Sequence, residues 1–463
     1  MVSMPGQAVE DFYKYPHQFF SFSVRDEGPV GQLHSENQPA PDRAIPDVAG
    51  STPTLSALSF CDLSAAVLKD GRVDLPFDAS DVIESLRTER YTEGEGKAFW
   101  AGTSAWARRF YYFFRPIMGE SVRTLIQNLC VRDWKKLSFP RWPVDTTVED
   151  LCEALLLRAM EASQVDRVPF VWFWPAGARA CVFMTHDVET QAGMKGCQQL
   201  MDVDDAFGIK ACFNIVPKGR YAIPDDFVDR VRERGFDVGV QDYNHDGRLY
   251  DRREEFLRRA EVINRFGRDH KIRGFRAAVL YRRPDWYRDL DFAFDMSIPN
   301  VAHLDPQRGG CCTVMPYFIG NLVELPVTTI QDYTLFRFLN EHSTDLWETQ
   351  IKMIMEKNGL ISFIVHPDYL VNSDDQVVYR NLLEHLKAIR DQGETWFALP
   401  AHVNDWWRAR NKMSVERTGD SYRIVGEAAD QAVLAYAVKR DGRLTYEVPG
   451  AEKNRLRANF SGS

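Results

Sequence analysis

The sequence is short of three features: long apolar runs, paired cysteines and an excess of basic residues. Without an apolar run of about 20 residues, a transmembrane helix is excluded. The net charge of -9 argues against a nucleic-acid partner, which would require a basic face. The cysteines include no CxxC pair, and the vicinal pair Cys311-Cys312 is awkward for disulfide geometry. Residues 1–22 also lack the basic-then-apolar pattern of a signal peptide, so we predict a cytoplasmic protein.

The length of 463 residues and the hydrophobic content of 44% suit one large domain with extensions. Changes in composition and in periodicity divide the chain into four parts. We predict a loosely ordered leader over 1–50, a helical region over 51–167, an α/β domain over 168–412 and a small β appendage over 413–463.

The α/β domain is predicted from alternating strand and helix patterns. Amphipathic stretches such as 227–234, 253–266 and 349–357 separate short apolar runs. Strands separated by helices pair in parallel, and this many units favour a (β/α) barrel over an open sheet. A predicted hairpin, 314–319 followed by 322–327, interrupts the alternation. The predicted strands are 168–174, 180–187, 209–216, 237–242, 272–278, 292–297, 361–366 and 395–399.

The regions that flank the barrel show no convergent charge chemistry. Aromatic residues over 99–114 recur at helical spacing, a second helix is predicted over 120–136, and Thr146 to Glu149 matches a capping box. No second membrane signal supports these helices, so we expect this region to pack against the barrel instead of anchoring at a membrane surface. The appendage should contain strands over 422–425, 433–438 and 444–448.

The stretch from Ala180 to Glu189 carries the strongest signal for function. A short apolar run, typical of a buried strand, ends in a polar cluster. Asp187 and Glu189 share one face because side chains alternate along a strand, and His186 packs behind it. Two carboxylates there are costly unless a cation, a proton or a substrate compensates them. The alternative is that these acids only cap the following helix.

Other predicted strands end in polar residues at the same edge. In a barrel, strand ends meet at one mouth, where this fold keeps its active sites. Carboxylate, imidazole and guanidinium groups together suit hydrolysis, because a base or a metal can activate water and an imidazole can protonate the leaving group. We predict that one pocket contains Asp187, Glu189, His245, Arg276 and His366. We also predict that Arg276 hydrogen-bonds a carboxylate in that pocket and keeps it ionised.

Four motifs in order resemble those of polysaccharide deacetylases, the NodB-homology group of carbohydrate esterase family four. They are Thr185-His-Asp-Val-Glu189, the stretch 237–245, Arg273-Gly-Phe-Arg276 and Val365-His366-Pro. The resemblance covers roughly 180–400. It implies a distorted (β/α) barrel and metal-assisted hydrolysis of an N-acetyl group on a sugar, with a carbohydrate as the substrate.

The resemblance also implies roles for individual residues. Asp187 stands where the family has its catalytic base. Arg276 matches the arginine that orients this base, and His366 matches the histidine that acts as general acid.

The metal site implied by the resemblance is altered. The family binds a divalent metal, usually zinc or a similar ion, through an aspartate and two histidines. Val188 stands at the aspartate position, Gln241 replaces the first histidine, and His245 is the second. Glu189, beside Asp187, is a possible substitute ligand. Because the amide of Gln241 is a poor zinc ligand, metal binding is predicted to be weak, rearranged or absent, and Gln241→His should strengthen it.

Three functions remain open from the sequence. The first is a hydrolase that removes an acyl group from an N-acylated sugar. The second is a non-catalytic carbohydrate-binding or assembly protein that retains the barrel. The third is a glycoside hydrolase with Asp187 and Glu324 as its carboxylate pair. Structural roles are predicted for Asp246, His303 and Asp305, and one or two of Trp172, Trp174, Trp286 and Tyr317 are expected to face a ligand.

Overall fold

A computed structural model of the protein describes residues 6–25, 63, 66–69, 71–92, 133–368 and 373–450. Its α-helices are α1 (Gln7–Tyr13), α2 (Ala79–Arg87), α3 (Thr147–Ala162), α4 (Gln191–Ala206), α5 (Phe227–Glu233), α6 (Arg253–Asp269), α7 (Asp345–Glu356), α8 (Ser373–Asp391) and α9 (Pro400–Lys412). Its strands are β1 (Ser21–Val24), β2 (Val67–Lys69), β3 (Arg72–Leu75), β4 (Arg167–Val171), β5 (Ala180–Val188), β6 (Ala211–Ile215), β7 (Asp237–Gln241), β8 (Gly274–Arg276), β9 (Phe294–Asp295), β10 (Tyr317–Ile319), β11 (Leu322–Glu324), β12 (Leu360–Val365), β13 (Thr395–Phe397), β14 (Ser414–Thr418), β15 (Ser421–Val425), β16 (Leu434–Arg440) and β17 (Arg443–Glu447).

Strands β5 to β13 form one curled sheet. Their order is β10-β11-β9-β8-β7-β6-β5-β12, and β13 pairs with the first residues of β5. The pairs are parallel except for the predicted hairpin, β10 with β11. Thr328, which follows β11 in the chain, connects the β10-β11 end of the sheet to β12 at the other end. Its Oγ1 donates to the carbonyl of Leu360 and its N–H donates to Ser362 Oγ, both at 2.8 Å. The predicted fold class, a distorted (β/α) barrel, is confirmed.

The central strand β5 is buried along its whole length. Val182 faces outward and belongs to a core cluster that includes Leu200 of α4. Phe183 faces the other way, into a second cluster that includes Leu155 of α3. A parallel strand covered on both faces needs apolar residues at every position, which explains why the sequence here is a continuous apolar run.

The described part of the N-terminal region packs against the barrel, as predicted. In α3, Leu155 and Leu156 are fully buried in the second core cluster. The start of this helix was predicted correctly, but the capping box was not, since Thr146 makes no capping bond and Asp145 Oδ1 accepts from the N–H of Thr147 at 2.8 Å. The predicted aromatic stretch 99–114 and nearly all of the helix over 120–136 lie outside the described residues. Within the described ranges, the helices are too short or too polar to cross a membrane.

Glu149, the last residue of the expected capping box, is buried instead of capping the helix. It accepts hydrogen bonds from Thr313 Oγ1 and, at 3.3 Å, from the N–H of Val314. Burial raises the pKa of Glu149 from 4.5 to about 8. The folded state therefore keeps this proton at pH values where the unfolded chain has released it, so stability falls as pH rises through this window.

Glu149→Gln should therefore stabilise the protein more at about pH 8 than at about pH 5. The glutamine is neutral at both values and can still accept the hydrogen bond from Thr313. Thermal unfolding of both proteins at the two pH values measures the difference. Glu161→Gln, at the far end of the same helix, is the control and should show no such pH dependence. An equal effect of Glu149→Gln at both pH values would contradict the buried, protonated state.

Two predicted boundaries differ from the structure. Strand β4 does not join the barrel but pairs antiparallel with β16 of the appendage, with Val171 opposite Leu434. Its apolar pattern indicates burial, but such a pattern does not specify which sheet the strand joins. In addition, the predicted leader contains α1 and β1, and Tyr15 is buried beside them.

Candidate functional site

Asp187, at the end of β5, is the centre of a buried hydrogen-bonded group. Its Oδ1 accepts from Asn214 Nδ2 at 2.8 Å, and its Oδ2 accepts from Gln241 Nε2 at 3.2 Å. Asn214 lies on β6 directly across from Asp187. A Cβ at Gly239 would run into Asn214 Oδ1, so the glycine leaves room for this amide. Sequence reasoning missed Asn214, although a polar residue inside an apolar strand is a signal of a buried contact.

Arg276, at the end of β8, provides the third contact to Asp187. Its Nη1 lies 3.4 Å from Asp187 Oδ2, and its Nη2 donates to Thr185 Oγ1 at 3.2 Å. The side chain is only 1% exposed, so the guanidinium lies behind the carboxylate and away from solvent. All three partners of Asp187 are N–H donors, and such donors fit a carboxylate. Asp187 does not cap the following helix, because the side chain of Thr190 is its N-cap.

Glu189 lies just beyond the end of β5 and contacts two histidines. Its Oε1 is 2.7 Å from His245 Nε2 and 3.6 Å from His366 Nε2. Its backbone N–H donates to Asp368 Oδ2 at 3.1 Å. Burial alone would raise the pKa of Glu189, but the two imidazoles outweigh burial and hold this pKa well below its usual range. Glu189 is therefore an anion that links the two histidines.

The contacts of His245 determine which ring nitrogen carries its proton. Arg220 Nη2 lies 3.1 Å from His245 Nδ1 and 3.3 Å from its carbonyl oxygen. A guanidinium can only donate, so Nδ1 is the acceptor and Nε2 carries the proton. That proton lies on the side of Glu189, although the angle departs from that of a good hydrogen bond. The turn between Gln241 and His245 is not helical, because Asp242 and His245 both have positive φ.

His366 follows β12 and is held by a buried aspartate. Asp332 Oδ1 lies 2.6 Å from His366 Nδ1, and Asp332 Oδ2 accepts the backbone N–H of His366 at 2.7 Å. Burial would lower the pKa of His366, but the carboxylates of Asp332 and Glu189 outweigh it and raise this pKa well above 6.5. His366 is thus an imidazolium near neutral pH. Asp332 was not among the predicted residues, because it lies in a loop after the hairpin with no motif around it.

The side chains at this edge do not fit the divalent metal that the resemblance implies. Val188 packs in the apolar core, and Gln241 turns its amide nitrogen toward Asp187. His245 carries its proton on Nε2, so that nitrogen has no lone pair for a metal. Across the part of the chain that the structure describes, no three His, Cys, Asp or Glu side chains converge as a metal site.

We therefore expect the native protein to bind zinc weakly, with well below one metal per chain. Gln241→His alone leaves Arg220 donating to His245 Nδ1, so His245 Nε2 stays protonated. The double variant Gln241→His/Arg220→Gln should bind zinc more tightly than Gln241→His, by about 10–100-fold, the usual size of an effect on a ligand's outer partner. Zinc titration with a competing chelator measures both affinities. Tight stoichiometric zinc in the native protein would contradict this account of the donors.

Glu324 lies on the other face of the sheet from the Asp187 group. Glu324 is the register partner of Asp295, and Asp295 is the register partner of Phe275, so these three side chains share one face of the sheet. Phe275 directly precedes Arg276. Side chains alternate along a strand, so Glu324 and Arg276 face opposite ways. Glu324 is fully buried, and burial together with the adjacent Asp295 raises its pKa well above the usual range. It is neither exposed nor at the mouth, and the geometry does not support a glycosidase pair with Asp187.

The remaining predicted candidates have structural contacts. His186 lies behind β5, with Nε2 2.9 Å from Asp204 Oδ2. Asp246 accepts from the N–H of Arg248 at 2.9 Å within its turn. His303 is buried and stacks on Trp142, and Asp305 accepts from Gln331 at 3.2 Å. The aromatic residues named as possible ligand contacts are buried except for the half-buried Trp286; they are Trp172, Trp174, Trp286 and Tyr317.

Comparison with known proteins gives structural matches only. No family model and no curated protein matches the chain. A protein from Mycobacterium smegmatis named as a polysaccharide deacetylase is 16% identical, with a TM-score of 0.41 over 54% of this chain and 98% of that chain. PuuE allantoinase is 13% identical, with a TM-score of 0.41 over 51% and 92%. Peptidoglycan deacetylase PdaC from Bacillus subtilis is 9% identical, with a TM-score of 0.32 over 49% and 90%.

The solved structures that resemble the chain thus include polysaccharide deacetylases, the group that the sequence motifs resemble.

Proposed function

We propose that the protein is a hydrolase that removes an acyl group from an N-acylated sugar, with Asp187 as the base and His366 as the acid. One observation carries this proposal. Val365 of β12 pairs with His186 of β5, so the next residues, His366 and Asp187, face each other at one end of neighbouring strands. Neighbouring strands lie about 4.8 Å apart, so the Asp187 carboxylate and the His366 imidazolium are close enough to act on one amide group of a substrate.

The two side chains suit the two proton transfers of amide hydrolysis. Asp187 takes a proton from water as the water oxygen attacks the acyl carbon, which gives a tetrahedral intermediate. His366 then gives its Nε2 proton to the sugar nitrogen as the C–N bond breaks. The products are a carboxylic acid and an amino sugar, and the base and the acid are restored by proton exchange with solvent.

The neighbours keep each group in its working state. Asn214, Gln241 and Arg276 donate to Asp187 and fix its orientation. Asp332 binds His366 on Nδ1, so Nε2 is the nitrogen that points to the substrate side. Glu189 lies between His366 and His245 and balances the imidazolium charge. No step of this scheme uses a metal, since the donors described above do not fit one.

Release of acetate from N-acetylated oligosaccharides such as chitotetraose tests the proposal. We expect slow but protein-dependent release, with one free amine formed per acetate. The absence of release from any N-acylated saccharide tested, with a folded protein, would contradict it.

A second candidate is a saccharide-binding protein without catalysis. The replacement of two metal positions by Val188 and Gln241 favours it, since these changes remove the metal chemistry that the resemblance implies. Calorimetric titration separates the two candidates, because this function predicts binding of the same oligosaccharides without any formation of acetate.

We also propose that the protein works in a reducing compartment such as the cytoplasm. Its described cysteines are all buried free thiols, including the neighbours Cys311 and Cys312. Burial raises the pKa of both thiols above the usual range, which keeps them protonated and unreactive.

A further inference from the structure

Arg220 lies at the mouth of the site with only part of its guanidinium in use. It follows β6 on an exposed loop, and its Nη2 contacts both the ring and the carbonyl oxygen of His245. His245 in turn lies 2.7 Å from Glu189. The ring of His245 therefore separates this guanidinium from Glu189, and Glu189 contacts His366, the proposed general acid.

The rest of this guanidinium is available for a ligand. Among the described residues, neither Nε nor Nη1 has a hydrogen-bond partner, and no carboxylate pairs with Arg220. A guanidinium presents its N–H groups as a planar fork that matches a carboxylate or a phosphate. A fixed, exposed and unpaired arginine beside a reaction site suits an anion on the substrate.

None of the nearby carboxylates pairs with Arg220 among the described residues. Glu189 lies between His245 and His366, Asp332 lies on the far side of His366, and Asp368 accepts from the N–H of Glu189. Lys218, two residues before Arg220, is also exposed and has no ion-pair partner among the described residues.

We infer that Arg220 binds a negatively charged group of the sugar, a carboxylate or a phosphate, while the acyl group is at Asp187 and His366. The substrate class is therefore an anionic N-acylated saccharide. The hydrolysis part of this inference rests on the proposed function, but the binding of the anion does not.

Substrate preference is the first test. The values of kcat/KM are compared for N-acetylglucosamine, for its 6-phosphate and for an N-acetylated aminouronic acid. We expect one or both anionic sugars to be preferred by about 10–100-fold, the size of a charge-assisted hydrogen bond. The anionic sugar with the higher kcat/KM shows whether Arg220 prefers a phosphate or a carboxylate. The preference should weaken as the salt concentration is raised.

Variants assign that preference to Arg220. Arg220→Gln should bring the ratio of anionic to neutral kcat/KM close to one, and Arg220→Lys should retain part of it. A ratio is used because a general disturbance of His245 lowers both rates and leaves the ratio unchanged. Arg265→Gln removes an exposed arginine on the outer helix α6 and should keep the wild-type ratio. An unchanged ratio in Arg220→Gln, or equal rates for all three sugars, overturns the inference.

Binding to the Asp187→Asn protein separates this inference from the proposed function. Calorimetry with the same three sugars should show tighter binding of an anionic sugar that is lost in Asp187→Asn/Arg220→Gln. If this binding is found but no sugar is hydrolysed by the native protein, the anion site stands and the hydrolase proposal fails. If neutral and anionic sugars bind and react equally, the hydrolase stands and the anion site fails.

Discussion

Asp187→Asn should lower kcat for acetate release by about 10²–10⁴-fold, the usual contribution of a general base. The variant keeps the size of the side chain and can still accept from Asn214 or Arg276. It loses the ability to take a proton from water. The measurement is the initial rate of acetate formation at saturating substrate. KM should change little, because the proposed role of Asp187 is to take a proton from the attacking water and not to bind the sugar.

Asp204→Asn is the matched control for this loss. Asp204 is also a fully buried aspartate that contacts a residue of β5, but it binds His186 and Tyr379 on the opposite side of the strand. Its substitution should cost stability and leave kcat near the wild-type value. If Asp187→Asn retains wild-type kcat while folded, Asp187 is not the base.

Asp332→Asn should move the alkaline limit of activity to lower pH. His366 must be protonated to serve as acid, so kcat falls as pH rises through its pKa, which Asp332 and Glu189 raise well above 6.5. Removing the charge of Asp332 removes the largest favourable contribution to the imidazolium. We expect the alkaline limb to shift down by about one to three pH units.

The full pH profile of kcat checks this prediction. In the variant, activity should recover as pH is lowered, because His366 is then protonated again. The Asp204→Asn profile should keep the wild-type limb, since that carboxylate faces His186 instead of His366. A uniform fall of kcat at every pH, without a shift of the limb, would show that Asp332 acts only in folding.

The fold was predictable because its strands are buried on both faces. Each apolar run between helices marks one strand, and the Gly320-Asn321 turn marks the hairpin. The partner of a strand was less predictable. β4 pairs with β16, far along the chain. The sequence did not reveal this partner, because an edge strand of the appendage and a barrel strand have the same apolar pattern.

The site was predictable where residues follow strand ends in motifs. Asp187, Arg276 and His366 come from three such motifs. Asp332 and Arg220 come from loops, and only the folded chain shows that they reach His366 and His245. The contact with Arg220 determines which nitrogen of His245 carries the proton. The poor fit of His245 to a metal therefore could not be derived from spacing along the chain.

The most direct test of the account is acetate release by protein freed of metal. The protein is dialysed against a strong chelator, its metal content is measured, and its rate on the best N-acetylated saccharide is compared before and after zinc is added. We predict that the metal-free protein hydrolyses the substrate, that zinc does not accelerate it, and that Asp187→Asn abolishes it. Activity that is lost on chelation and restored by one zinc per chain would contradict hydrolysis by Asp187 and His366 alone.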